Sequence, residues 1–291
     1  MQIRHVSIFT GDAALPATLR LPDCAAPAPA VVFHNGYAAY QEMYDGMAAE
    51  LCRNGYLTLQ FDPRGTDGES RGRFLCGTQW LEDACAAVSY VCGLPQADAS
   101  HVAFSGVSMG GGMTILQGAA DPRLKCLFAM APPANFGEQM HEAWVKNQGE
   151  AAWQAHLEHL FRDAARVAHG YPSERMEGAY ACWGIELSKE EKAESRRAQP
   201  RVAHELTLSS VLNSYLYYDV RAAAARLRVP LCPVHGTADT TIAHHCSEEL
   251  YAVTSAPVRE LHLIPGKGHV LPEEACDEVT RLALDWFSKY L

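Results

Sequence analysis

With 291 residues, 48% of them hydrophobic, the chain has enough apolar material for one large domain or a domain plus an insertion, which excludes a disordered chain. A formal net charge of -10 argues against a nucleic-acid surface, which needs clustered Lys and Arg. The opening Met1 to Val6 lacks the apolar core of a signal peptide, and no run approaches the roughly 18 apolar residues of a membrane span, so a soluble cytoplasmic protein is expected.

Arg4 to Phe9 and Ala17 to Leu21 are short strand-like runs joined through Thr10-Gly11-Asp12, which predicts an antiparallel opening hairpin. Ala30 to Phe33 reads as a buried strand, Tyr44 to Asn54 as a helix capped by Gly55, and Leu57 to Phe61 as the next strand. Trp80 to Cys92 is an amphipathic helix, His101 to Phe104 a strand, Met109 to Ala120 a helix, and Leu124 to Ala129 a strand closed by Pro132-Pro133. This regular alternation implies a mostly parallel, doubly wound sheet with helices on both faces.

From Gly137 to Leu216 the alternation stops, and the pattern is helical with no convincing strand. Strand and helix resume at Pro230 to Val234, His244 to Thr254, Arg259 to Ile264 and Glu273 to Tyr290. The expected organisation is an α/β core built from residues 1–136 and 217–291, interrupted by a helical cap at 137–216. The ten cysteines are scattered without a C-x-x-C, so they read as reduced thiols, and neither a metal site nor a cofactor is called for.

Gly106-Val107-Ser108-Met109-Gly110 is a G-x-S-x-G pentapeptide between a strand-like and a helix-like run, the context of a nucleophile elbow. A serine hydroxyl is a poor nucleophile at neutral pH and needs a base, itself oriented by a third group. Asp239 follows the strand ending at Val234, and the glycine-flanked His269 follows the next strand, so nucleophile, acid and base occur in the order Ser108, Asp239, His269. In an open parallel sheet all three loops leave the carboxyl ends of strands, where ligands bind. Among the other histidines, His235, His262, His244 and His245 suit surface or capping roles, and His156 and His159, three apart, read as a solvated helix face.

These residues resemble the α/β-hydrolase superfamily, in its serine esterase and peptidase branch, over nearly the whole core. Gly106 to Gly111 resembles the family elbow, Gly236-Thr237-Ala238-Asp239 the acid loop and Gly268-His269 the histidine loop. His34-Asn35-Gly36-Tyr37 is similar to the His-Gly motif that positions the oxyanion hole. The resemblance implies that the Tyr37 and Met109 amides receive the oxyanion, with His34 and Gly36 supporting that loop. Asp62 to Ser70 resembles the family's Asp-x-Arg-Gly-x-Gly-x-Ser loop, with one additional residue before the second glycine.

The reading is a cofactor-free serine hydrolase cleaving a small or medium carboxylic ester through an acyl-enzyme. The same three residues would also serve a peptidase, an acyltransferase or a carbon-carbon bond hydrolase. A receptor that uses the fold without turnover is the rival of another class. Trp144, Trp153 and Trp183, with Phe161, Tyr171 and Tyr180, are candidates for lining an acyl or aryl pocket, packing between helices being the alternative. The partner expected is a small ester or related acyl substrate, with no nucleic acid and no membrane, and the apolar face of the cap is a candidate homodimer surface.

Overall fold

The hairpin expected at the start is formed by β1 (Gln2–Thr10) and β2 (Ala13–Leu21), antiparallel from Gln2 opposite Leu21 to Thr10 opposite Ala13. It opens a computed structural model that describes residues 1–24, 27–66, 73–178 and 180–291. The alternating region follows as β3 (Ala28–His34), a 3-10 turn at Gln41–Tyr44, α1 (Asp45–Arg53), β4 (Leu57–Phe61), α2 (Gly77–Cys92), β5 (Ala97–Val107), α3 (Met109–Ala120) and β6 (Leu124–Met130). Next come α4 (Phe136–Gln148), α5 (Glu150–Ala168), β7 (Arg175–Glu177), a 3-10 turn at Ala181–Trp183, α6 (Lys189–Ala198), β8 (Glu205–Thr207) and α7 (Leu208–Tyr217). After it come α8 (Val220–Ala224), β9 (Leu231–Gly236), α9 (His245–Val253), β10 (His262–Ile264), α10 (Leu271–Glu274) and α11 (Cys276–Tyr290).

Eight strands form one sheet in the order β1-β2-β4-β3-β5-β6-β9-β10, antiparallel only where β2 meets β1 and β4. Strands covered on both faces should be apolar throughout, and β3, β4, β6 and β9 are buried along almost their whole length. The two-residue period then sorts their side chains. Val31, Phe33, Phe128, Met130 and Val234 pack on one face with α1 and α11, through residues such as Leu51 and Trp286. Val32, Phe104, Leu127 and Leu231 pack on the other with α2, α3 and α8, around Trp80, Met113 and Val220. Fixing both faces fixes where every parallel strand ends, and those carboxyl ends carry the candidate residues.

Two expectations about elements need correction. The stretch 137–216 is not purely helical, because β7 and β8 pair antiparallel with Met176 opposite Leu206. Each is three residues long, too short for alternation to be read in the sequence, and only Leu206 is fully buried. The last strand is also shorter than expected, since Arg259 makes only an isolated bridge to Leu231 before β10 begins at His262. Among the described residues no helix is long and apolar enough to cross a membrane.

Candidate active site

Ser108 stands between β5 and α3 at φ 60°, ψ -126°, a left-handed conformation that costs a non-glycine residue about 1 to 3 kcal/mol. The surrounding structure enforces it. Ser108 N donates to Met130 O at 2.9 Å, and Gly112 N donates back to Ser108 O at 3.0 Å. The flanking glycines let three backbones converge. A Cβ on Gly106 would lie 2.7 Å from His34 O, and one on Gly110 2.6 Å from Asn35 O, both impossible without displacing main chain.

The loop after β3 lies against the serine. A Cβ on Gly36 would fall 3.1 Å from both Ser108 Cβ and Val107 O, so the Gly36-Tyr37 peptide is packed on the elbow. Met109, as the first residue of α3, has an amide without an intrahelical acceptor. Tyr44, fully buried, ties the two segments together by donating its hydroxyl to His34 O at 2.8 Å and accepting from Val107 N at 2.9 Å. His34 is buried as well, and its Nδ1 donates to Asn35 O at 2.8 Å. Burial pushes its imidazole down to about 4, so it stays neutral near pH 7 and braces the loop. On the helix side, the buried Tyr218 hydroxyl donates to Met109 O.

Asp239 and His269 are brought into contact across loops stitched by backbone bonds, Thr237 N to Ile264 O at 3.0 Å and Ala238 N to Lys267 O at 2.9 Å. Gly236 permits that approach, since a Cβ there would lie 2.6 Å from the Lys267 carbonyl carbon. His269 Nδ1 donates to Asp239 Oδ2 at 2.6 Å, so that the neutral imidazole has its free lone pair on Nε2. The other carboxylate oxygen accepts from Thr241 N at 2.8 Å and Ile242 N at 2.9 Å. Burial opposes the charge on Asp239, but hydrogen bonds from His235, His269 and the Ile242 amide outweigh it and hold the carboxyl well below the usual range. Ser108 is half-buried, and among the described residues no hydrogen bond joins its Oγ to His269.

Two neighbours escaped the sequence reading. His235, expected at a surface or cap, is completely buried and brings Nε2 to 3.2 Å from Asp239 Oδ2 and 2.9 Å from Ile242 O. Its Nδ1 meets Ser247 Oγ at 2.7 Å. It sits on β9 with its side chain under the acid loop, and the four-residue spacing to Asp239 was the available signal. Glu274 on α10 accepts from Gly268 N at 2.8 Å and Val270 N at 3.0 Å, clamping both amides that flank His269.

The residues expected to line a pocket divide. Trp144 lines a cavity of about 300 Å³ with Met176, Tyr180 and Leu187, and its Nε1 donates to Cys182 O at 2.8 Å. Trp153 is buried among Trp144, His156 and Tyr215 and serves packing. Trp183 lines a cleft together with Thr240 and Thr241, next to Asp239 in the chain. His156 corrects its expectation, being buried and stacked on Trp144 at 4.2 Å, whereas His159 is exposed and pairs with Glu174. Phe161 and Tyr171 are exposed. Asp67 to Ser70 of the loop that resembles Asp-x-Arg-Gly-x-Gly-x-Ser lie outside the described residues. Its first part is held by Arg64, whose Nε donates to the buried Asp83 at 2.6 Å.

The family model described as serine aminopeptidase, S33, matches residues 25–275. The chain belongs to this hydrolase family. Its fold is the α/β-hydrolase fold. An α/β hydrolase from Penicillium sp. sh18, GrgF, superposes with a TM-score of 0.78 at 20% identity, covering 100% of this chain and 99% of that one. The uncharacterized protein PA2218 of Pseudomonas aeruginosa is 24% identical over 278 residues, 88% of this chain and 70% of the relative. Est1E from Butyrivibrio proteoclasticus, solved with ferulic acid bound, is similar at a TM-score of 0.72 and 18% identity, covering 98% of each chain.

Proposed function

We propose that this hydrolase cleaves a carboxylic ester by nucleophilic catalysis from Ser108. The observation that carries the reading is the 2.6 Å bond from His269 Nδ1 to the buried Asp239, at the strand-end edge where Ser108 occupies its strained turn. With Nδ1 committed to Asp239, His269 Nε2 accepts the Ser108 proton as Oγ attacks the ester carbonyl. The amides of Tyr37 and Met109 hold the oxyanion, each such donor contributing about 3 kcal/mol in the transition state. His269 then passes the proton to the leaving oxygen, the alcohol departs, and a water deprotonated by His269 releases the acid and restores Ser108. The serine-histidine bond forms on substrate binding in this scheme, since such contacts are commonly loose in unliganded enzymes.

A fluorophosphonate probe and an ester panel test the reading together. Wild type is expected to be labelled once per chain and to hydrolyse esters in preference to amino-acid anilides, while Ser108→Ala takes no label and loses at least about 10³-fold in kcat. Absence of wild-type labelling, or equal labelling of the variant, would return the chain to the receptor alternative. Faster anilide cleavage would make it a peptidase, and transfer to an added alcohol in place of water an acyltransferase.

A further inference from the structure

Two carboxylates grip the histidine loop. Asp239 takes the side chain of His269 through Nδ1 at 2.6 Å, and Glu274 takes the main chain on either side of it. Gly268 N donates to Glu274 Oε2 at 2.8 Å and Val270 N to Glu274 Oε1 at 3.0 Å, so one carboxylate spans both amides that flank the histidine. The loop is shaped to receive it. A Cβ on Gly268 would lie 2.7 Å from Glu274 Oε2 and 3.2 Å from its Cδ, so the glycine before His269 makes room for the carboxylate.

The carboxylate is presented from a fixed base. Leu271 and Ala275, on either side of Glu274, are buried and pack in one cluster with Val279 and Trp286 of α11 beneath the sheet. Glu274 N donates to Val270 O at 2.9 Å and closes a ring with the bond from Val270 N, while Lys267 Nζ donates to Glu274 O at 3.0 Å. Part of this is ordinary capping. Val270 stands at the N-cap of α10 without a side-chain oxygen, and a glutamate that reaches back to the N-cap amide stabilises the helix start. Capping has no use for the bond from Gly268 N, which lies outside the helix on the far side of the histidine.

That second bond matters for the ring. One hydrogen bond to Asp239 fixes a point on the imidazole and not its direction, so the place of Nε2 depends on where the backbone of His269 sits. Proton transfer needs heavy atoms within about 2.6 to 3.2 Å, and a misplacement of about 1 Å can cost roughly 100-fold in rate. Resting on the serine-ester reading, we infer that Glu274 is a positioning residue for catalysis. By holding the amides on both sides of His269, it sets where Nε2 meets the Ser108 proton and, later, the leaving oxygen. Bonds from two amides to an ionised carboxylate are charge-assisted, which suits a clamp at the protein surface better than a neutral acceptor would.

Steady-state kinetics on a 4-nitrophenyl ester, corrected for the folded fraction of each variant, test the role. Glu274→Ala is expected to lower kcat roughly tenfold with KM changed by less than about twofold. Glu274→Gln keeps an acceptor for one of the two amides and should fall between the alanine variant and wild type, and it carries the comparison if loss of the whole clamp unfolds the loop. Val270 also lines a cleft of about 680 Å³ with Tyr37 and Glu273, so an effect exerted through substrate binding would appear in KM instead. The decisive arm is a double-mutant cycle. In a His269→Ala background, Glu274→Ala should change the residual kcat by less than about twofold, because there is no imidazole left to place. Additive losses, a loss carried by KM, or an unchanged kcat in Glu274→Ala would overturn the inference while a fall in His269→Ala upholds the mechanism. An unchanged kcat in His269→Ala itself would remove the serine-ester reading and this inference with it.

Discussion

His235 shows how much a single buried side chain contributes beneath the candidate triad. Its Nε2 faces two oxygens, Asp239 Oδ2 and Ile242 O, and so carries a hydrogen, while Nδ1 shares a hydrogen bond with Ser247 Oγ. The Nε2 donor holds Asp239 Oδ2 where His269 needs it. His235→Leu is expected to lower kcat roughly tenfold or more with KM little changed, since the orientation of the base is felt in the transition state. His235→Gln, which restores an N–H donor, should recover part of the loss. Equal kcat values for the two variants, after correction for the folded fraction, would reduce His235 to packing. The sequence made Asp239 and His269 legible because glycines flank the loops that carry them. It hid His235 because a histidine on a strand reads the same whether its ring faces solvent or a buried carboxylate.

At the level of elements, the strand-turn-helix unit of β5, Ser108 and α3 depends on backbones touching. Gly106 meets the Gly110 carbonyl carbon at 2.5 Å and His34 O at 2.7 Å from its would-be Cβ, whereas Gly93, at the end of α2, meets only Ser89 O and Tyr90 O at 3.5 Å. Gly106→Ala is therefore expected to destabilise the fold by about 3 kcal/mol or more, and Gly93→Ala to change it little. Urea denaturation of both variants checks the contrast, and similar midpoints would refute the packing argument. The same contrast explains what could be read in advance. The core helices and strands announced themselves through periodicity over many residues, and the elbow through its glycines. The β7–β8 ribbon did not, because three residues per strand carry no period, and the burial of His156 did not, because it depends on Trp144 and Tyr215 arriving from other helices.

For the molecule as a whole, stability and site geometry are linked through buried polar groups at the strand ends. Asp62, just after β4, accepts from Gln41 N at 2.9 Å, Gln41 Nε2 at 3.0 Å and Asn35 Nδ2, and so joins the 3-10 turn to the loop that holds Gly36 and Tyr37. Burial outweighs these bonds and pushes its carboxyl up to about 6. An unfolded aspartate titrates near 3.9, so between these values the folded chain binds more protons than the unfolded one. The contribution of Asp62 to stability consequently falls as pH rises from about 4 to about 6 and is level above that. In Asp62→Asn the penalty disappears, and a rotated Gln41 amide can meet the new N–H₂ with its Oε1, which has no partner in the wild type among the described residues. The variant should gain on wild type by up to about 3 kcal/mol between pH 4 and pH 7. Guanidinium denaturation of both proteins at those two pH values gives the difference directly. A gap that stays constant with pH would show that Asp62 ionises as freely in the folded protein as in the unfolded chain.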